Sequence, residues 1–205
     1  MMNWYRILPG VAASMLVSCC ASVQMSLTDA EKALINESSS IMRILTVEEE
    51  EDLAVLRRSS TDLNAADLAS PEYGALALKL VSTLENTDGG VGLAAPQVGL
   101  SRRVVAVQRV DKEGEPIEVY ADIVIEEMRG ELQEGGEGCL SVPDLRGSVP
   151  RYQDITISYA VLDEQGRLRE VREDVSGFAA VIFQHETDHL DGVLYIDKAS
   201  LLVSE

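Results

Sequence analysis

Basic residues are scarce in this chain: 17 Lys and Arg stand against 35 Asp and Glu, giving a net charge of −18 and a pI of about 4.4. A phosphate backbone would be repelled by that field, so nucleic acid is excluded as a partner. The acidity reads as support for solubility, and the run Glu48–Asp52 as a solvated charge block. Cysteine is scarce too. Cys19, Cys20 and Cys139 are too few for a disulfide framework. The apolar stretch Ile7–Val17 is too short to span a bilayer. Disorder is excluded from the other side, because 46% of residues are hydrophobic. A chain of 205 residues fits one domain with a real core and a non-core tail.

Histidine is scarcer than cysteine, and its placement is informative. The two histidines, His185 and His189, lie four residues apart, with Glu186 directly after the first. On a helix, positions i and i+4 share a face, so both imidazoles can reach one metal ion. Glu186 is close enough to act on a water at that ion without being a ligand. The bland alternative is a surface helix end that carries two histidines. The motif points to metal-assisted hydrolysis and does not name the substrate. Such sites usually take three protein ligands. Cys139, flanked by glycines in Gly135–Ser141, is one candidate, and a small buried hydrophobe is its plainer reading. Asp191 is the rival ligand, with an obvious helix-terminating role.

The chain begins like an exported protein. A short start with Arg6, the apolar Ile7–Val17 and then Leu16-Val17-Ser18-Cys19 resemble a bacterial lipobox. Residues 1–19 are expected to form a signal segment, with membrane anchoring through a lipidated Cys19. If the start lies instead at Met25 or Met42, the chain is cytoplasmic. Residues 20–40 read as a tether with one short helix at the Thr28–Glu31 capping box, and 41–205 as the folded domain. A helix is expected from Pro71 to Asn86, where Leu76, Leu80 and Leu84 recur at helical spacing. Strands are expected at Arg103–Val110, Ile117–Ile125, Ile155–Val161 and Leu168–Val175. The histidine helix follows, with Ser176 as N-cap, an apolar first half and a stop at Asp191-Gly192. Val193–Ile196 reads as a final short strand. The pattern predicts an α+β fold, with antiparallel or mixed β-sheets wrapped around a central buried helix that carries the His-Glu-x-x-His motif.

A third stretch, Gly90–Gln97, is a close-packed turn of glycine, alanine and proline. It has no P-loop lysine and no leading strand, so it is not a phosphate loop. Its versatile polar group is Gln97. That amide could stabilise an oxyanion, or belong to a plain surface turn.

Taken together, three ordered motifs resemble the peptide deformylases: Gly90–Gln97, Glu137–Ser141 and Gln184–Gly192, within a likeness running from Ile41 to Asp197 that includes Arg146 and Arg151. The resemblance implies that Cys139, His185 and His189 bind one divalent metal ion. Fe(II) is the expected ion, with Zn(II), Ni(II) or Co(II) able to replace it. It implies that Glu186 is base and then acid, and that Gln97 and the backbone N–H of Leu140 hold the oxyanion. It implies that Val91, Phe178, Val181 and Ile182 line a methionine pocket, and that Gly92 lets substrate backbone approach. The expected substrate is an N-formylmethionyl peptide, which yields formate, and a monomer is favoured. The chain departs from the family in its export-like start, in Tyr120-Ala121-Asp122-Ile123 where members often carry Asn-Pro, and in the eight residues after Asp197 where no long helix fits. Another His-Glu-x-x-His peptidase, and an inactive membrane-tethered binding protein, are the alternative readings.

Overall fold

The computed structural model describes residues 26–204, and the expected signal segment with Cys19 lies outside them. In chain order the elements are α1 (Asp29–Ile35), α2 (Glu50–Leu56), α3 (Ala65–Leu68), α4 (Pro71–Glu85), β1 (Gly92–Ala94), β2 (Val104–Gln108), β3 (Ile117–Cys139), β4 (Val142–Leu162), β5 (Leu168–Ser176), α5 (Phe178–Leu190) and β6 (Leu201–Ser204). Tight 3₁₀ turns occupy Ala95–Val98 and Tyr195–Asp197. The fold is α+β, and its strands pair antiparallel throughout.

The strands form one six-stranded network in the order β1-β2-β3-β4-β5, with β6 on β4, where several sheets were expected. β3 and β4 stay paired across four register shifts, so the ladder is interrupted locally without dividing. Alternation had marked only the first part of β3 and the last part of β4. Between them, residues 126–136 are solvent-exposed or half-exposed, so no apolar face repeats there for a sequence pattern to show.

Local chemistry fixes the helices. Ser70 caps Tyr73 N–H ahead of Pro71, and Leu76, Leu80 and Leu84 bury one stripe of α4. α5 packs against β1, β2, β3, β4 and β5. Its Ala179, Ala180, Ile182 and Phe183 are buried in a cluster with Val105, Val107, Tyr120, Ile155 and Ile157. The Gln184 side chain meets the β4 backbone, accepting from Tyr152 N–H at 3.1 Å and donating to Tyr152 C=O at 2.7 Å. That fixes the roll of α5 against the sheet, and with it the direction of its histidines.

Several expectations change. The residue before α5 is Gly177 at φ +66, while Ser176 ends β5 paired with Asp154; the corner needs a positive φ, which glycine adopts without strain. Val193–Ile196 is not a strand, because Asp197 folds back to accept from Leu194 N–H at 2.9 Å and closes a 3₁₀ turn. The charge block is the start of α2, and Asp52 within it is buried against Arg43 and accepts from Thr46 N–H. The short helix at Thr28 forms with its capping box, but as α1 it packs onto the body, where a tether was expected. Leu27 and Ile35 are buried in the core cluster of α4 and β2.

Candidate active site

The three motifs converge between α5, the β3–β4 corner and the turn after β1. Cys139 ends β3, where the chain reverses so tightly that it pairs with Val142. His185 and His189 project from one side of α5, with ring centroids 5.1 Å apart. Ligand atoms of Cys139, His185 and His189 all lie within 4.8 Å of one another. His189 Nε2 is 3.3 Å from Cys139 Sγ. Asp191, the rival ligand, is not in this group; its carboxylate meets Arg103 at 2.7 Å.

Gln97 points into the same place, and its orientation is fixed. Ala94 N–H donates to its Oε1 at 2.8 Å, so the amide NH₂ faces the other way. That group lies 3.1 Å from Ser141 Oγ and 3.6 Å from Cys139 Sγ. The turn that carries Gln97 is fully buried, not a surface turn. Glu186 is buried too, and its Oε2 has no hydrogen-bond partner among the described residues. A Cβ built on Gly92 would fall 2.3 Å from Glu186 Oε1. Gly92 therefore makes room for the glutamate itself, in addition to the expected room for substrate.

Electrostatically the site is a pocket of anions. Glu137 accepts from Arg151 Nε at 2.7 Å and Nη2 at 3.0 Å, and its Oε2 is 2.9 Å from His185 Nδ1. Burial works against its charge, but the hydrogen bonds from His185 and Arg151 win and bring the carboxyl down to about 2. The stabilisation is complete above the ordinary carboxylate range and is lost as pH falls toward that value. Arg151 also donates to Asp188 at 2.7 Å, and Lys198 reaches Asp188 at 2.6 Å, so the chain of charges runs from His185 to the surface. Burial disfavours charge on His185 as well, yet Cys139, Glu137 and Glu186 outweigh it and push the imidazole up to about 10. Burial, with the charges of His185 and Arg151, drives His189 well below the ordinary imidazole range. Burial raises Glu186 to about 7, with Glu137 and Asp188 adding to it.

This donor set fits a divalent cation. A thiol and two imidazoles converge, and one ring is oriented through its second nitrogen by a carboxylate. A cavity of about 430 Å³ opens beside the cluster and is lined by Val91, Gly92, Leu140, Phe178, Val181 and Ile182. Phe178 is 57% exposed, so its apolar ring faces this cleft and not the core.

The sequence did not assign roles to Glu137, Ser141, Asp188 or Lys198. Glu137 and Ser141 lie inside the second motif and Asp188 inside the third. Their partners lie across the fold, and no short spacing announces them.

The polypeptide deformylase family model matches residues 41–205. The peptide deformylase of Desulforudis audaxviator is 41% identical over 133 residues, covering 65% of this chain and 81% of the relative. The crystal structure of the Thermotoga maritima peptide deformylase aligns with a TM-score of 0.66 at 32% identity, over 78% of this chain and 99% of that one. A class I type b peptide deformylase from Acinetobacter baumannii, bound to Met-Ala-Ser, aligns with a TM-score of 0.64 at 32% identity, over 77% of this chain and 98% of that one. With the matched region spanning all three motifs, this chain belongs to the peptide deformylase family.

Proposed function

We propose that this chain hydrolyses the N-formyl group of N-formylmethionyl peptides, yielding formate and a free N-terminus. The observation that carries this reading is the convergence of Cys139, His185 and His189 within 4.8 Å, beside a buried Glu186 and an oriented Gln97 amide. In this reading α5 is the central helix about which the sheet is arranged. Cys139, His185 and His189 would hold one divalent ion, Fe(II) in keeping with the family resemblance, with Zn(II), Ni(II) or Co(II) as substitutes. When bound, that ion supplies a Lewis acid and lowers the pKa of a coordinated water.

The residues of the chain do the rest. Glu186 takes a proton from the attacking water and delivers it to the leaving amine nitrogen. Burial raises its pKa toward neutrality, which suits a group that must act as base and then acid. As the formyl carbon becomes tetrahedral, charge grows on its oxygen. The Gln97 NH₂ and the Leu140 N–H are the donors assigned to that oxygen, and Ser141 and Ala94 hold Gln97 in place beforehand. Glu137 orients His185 through Nδ1 and leaves the other ring nitrogen for the ion. Val91, Phe178, Val181 and Ile182 receive the methionine side chain. The Met-Ala-Ser bound to the Acinetobacter relative is a peptide of the matching kind.

We also propose export and anchoring through Cys19, which would confine the substrates to formylated peptides outside the cytosol; palmitate incorporation lost in Cys19→Ala would support this, and recovery of an unprocessed cytosolic chain would oppose it.

The test of the reaction is formate release from a formyl-methionyl tripeptide by protein purified without oxygen, with metal determined on the same sample. Glu186→Ala is expected to retain metal and to lose activity by about 10²–10⁴-fold. A wild-type protein with one ion per chain and no formate release would remove this reading.

A further inference from the structure

The N-terminal segment 26–40 lies outside the residues matched to the family, yet it is tied to the turn that carries Gln97. Leu34 packs onto Gly99, the left-handed residue that closes the Ala95–Val98 turn: a Cβ at Gly99 would sit 3.2 Å from Leu34 Cδ2. Leu27 and Ile35 are buried in one cluster with Leu93, Ala95, Val98 and Leu100, which flank Gln97 on both sides. A second attachment is polar. Arg102, two residues past Leu100 and 3% exposed, donates to Glu31 at 2.6 and 2.8 Å and to Ser26 C=O at 2.8 Å. The same Glu31 carboxylate closes the α1 capping box at 2.7 Å on Thr28 N–H. Helix start and turn exit are therefore held by one ion pair.

We infer that α1 is a positioning element for Gln97, pressing Leu34 on the turn at Gly99. It touches no substrate. It acts by limiting how far the backbone of Ala95–Gly99 can shift, and so how far the Gln97 amide can stray from the oxyanion. A displacement of even a fraction of an ångström matters there, because a donor stabilises a developing charge only when it is already in place. The inference rests on the proposed reaction for its kinetic consequence and on the packing alone for its structural one.

The experiment uses the full chain with Leu34→Ala and Leu34→Met. Backbone hydrogen exchange is read first, since it does not depend on the reaction. Leu34→Ala is expected to speed exchange at Leu45 N–H, which donates to Gln97 C=O at 2.7 Å, and at Leu100 N–H, which donates to Ala95 C=O, while β2 stays protected. Steady-state formate release is read second. Leu34→Ala should lower kcat about tenfold with KM and metal content unchanged, Leu34→Met should restore most of it, and Leu34→Ala should add almost nothing in a Gln97→Ala background. Unchanged exchange at Leu45 and Leu100 would overturn the inference whatever the activity. So would a kcat loss of the same size with and without Gln97. If wild type binds metal but releases no formate, the proposed reaction fails while the exchange result still decides the role of α1.

Discussion

Three arginines are buried among the described residues, and two of them, Arg109 and Arg151, teach opposite lessons. Arg109 is 1% exposed and Arg151 3%. Each is surrounded by carboxylates: Asp111 and Glu173 for the first, at 2.6 Å each, and Glu137 and Asp188 for the second, at 2.7 Å each. Arg109 also bonds Tyr120 Oη at 2.5 Å and lies over the Phe183 ring, 5.5 Å from its centroid. Its acids lead outward, to partly exposed side chains. The acid on Arg151 leads inward, because Glu137 also holds His185. Burial of a cation thus says little about function; what its anion does with the remaining oxygen says much.

The difference has measurable consequences. Arg151→Met should have the largest effect. It leaves buried Glu137 without its cation and Asp188 with Lys198 alone, destabilising the fold by about 3–5 kcal/mol, and it loosens the carboxylate that orients His185, weakening metal affinity by about 10–100-fold. Chelator competition on folded protein reads the second effect separately from thermal unfolding. Arg109→Met should be milder, costing about 1–3 kcal/mol because its acids can turn to water. Its metal content and kcat per folded molecule should match wild type, and loss of metal in this variant would erase the contrast. Asp122→Asn should be the smallest and of opposite sign. Asp122 sits at φ +51 and accepts from Leu63 N–H at 2.8 Å, and burial raises its carboxyl to about 6. A raised acid destabilises the fold as pH climbs through that value. Since the group is only partly shielded from solvent, asparagine should add about 1 kcal/mol at pH 7.5 and nothing at pH 4.

Much of the site was legible because its chemistry needs rare residues at fixed spacing. His185 and His189 announced a helix face, and the glycines around Cys139 announced a tight corner. α4 was legible through its leucine stripe and β2 through Val104–Val107. What stayed hidden depends on contacts far apart in the chain. Asp52 looked solvated because nothing in Glu48–Asp52 reveals that Arg43 folds back on it. The outer reach of β3 was missed because residues 126–136 are exposed on both faces and keep no alternation. The partnership of Glu137 with Arg151 and His185 spans residues that no local pattern links.

Gly92 and Glu186 lie more than ninety positions apart in the sequence, yet one occupies the space the other's side chain would need. A side chain at position 92 would force the Glu186 carboxylate to move, so in this chain the smallest residue of one motif sets where the proton-carrying group of another can stand.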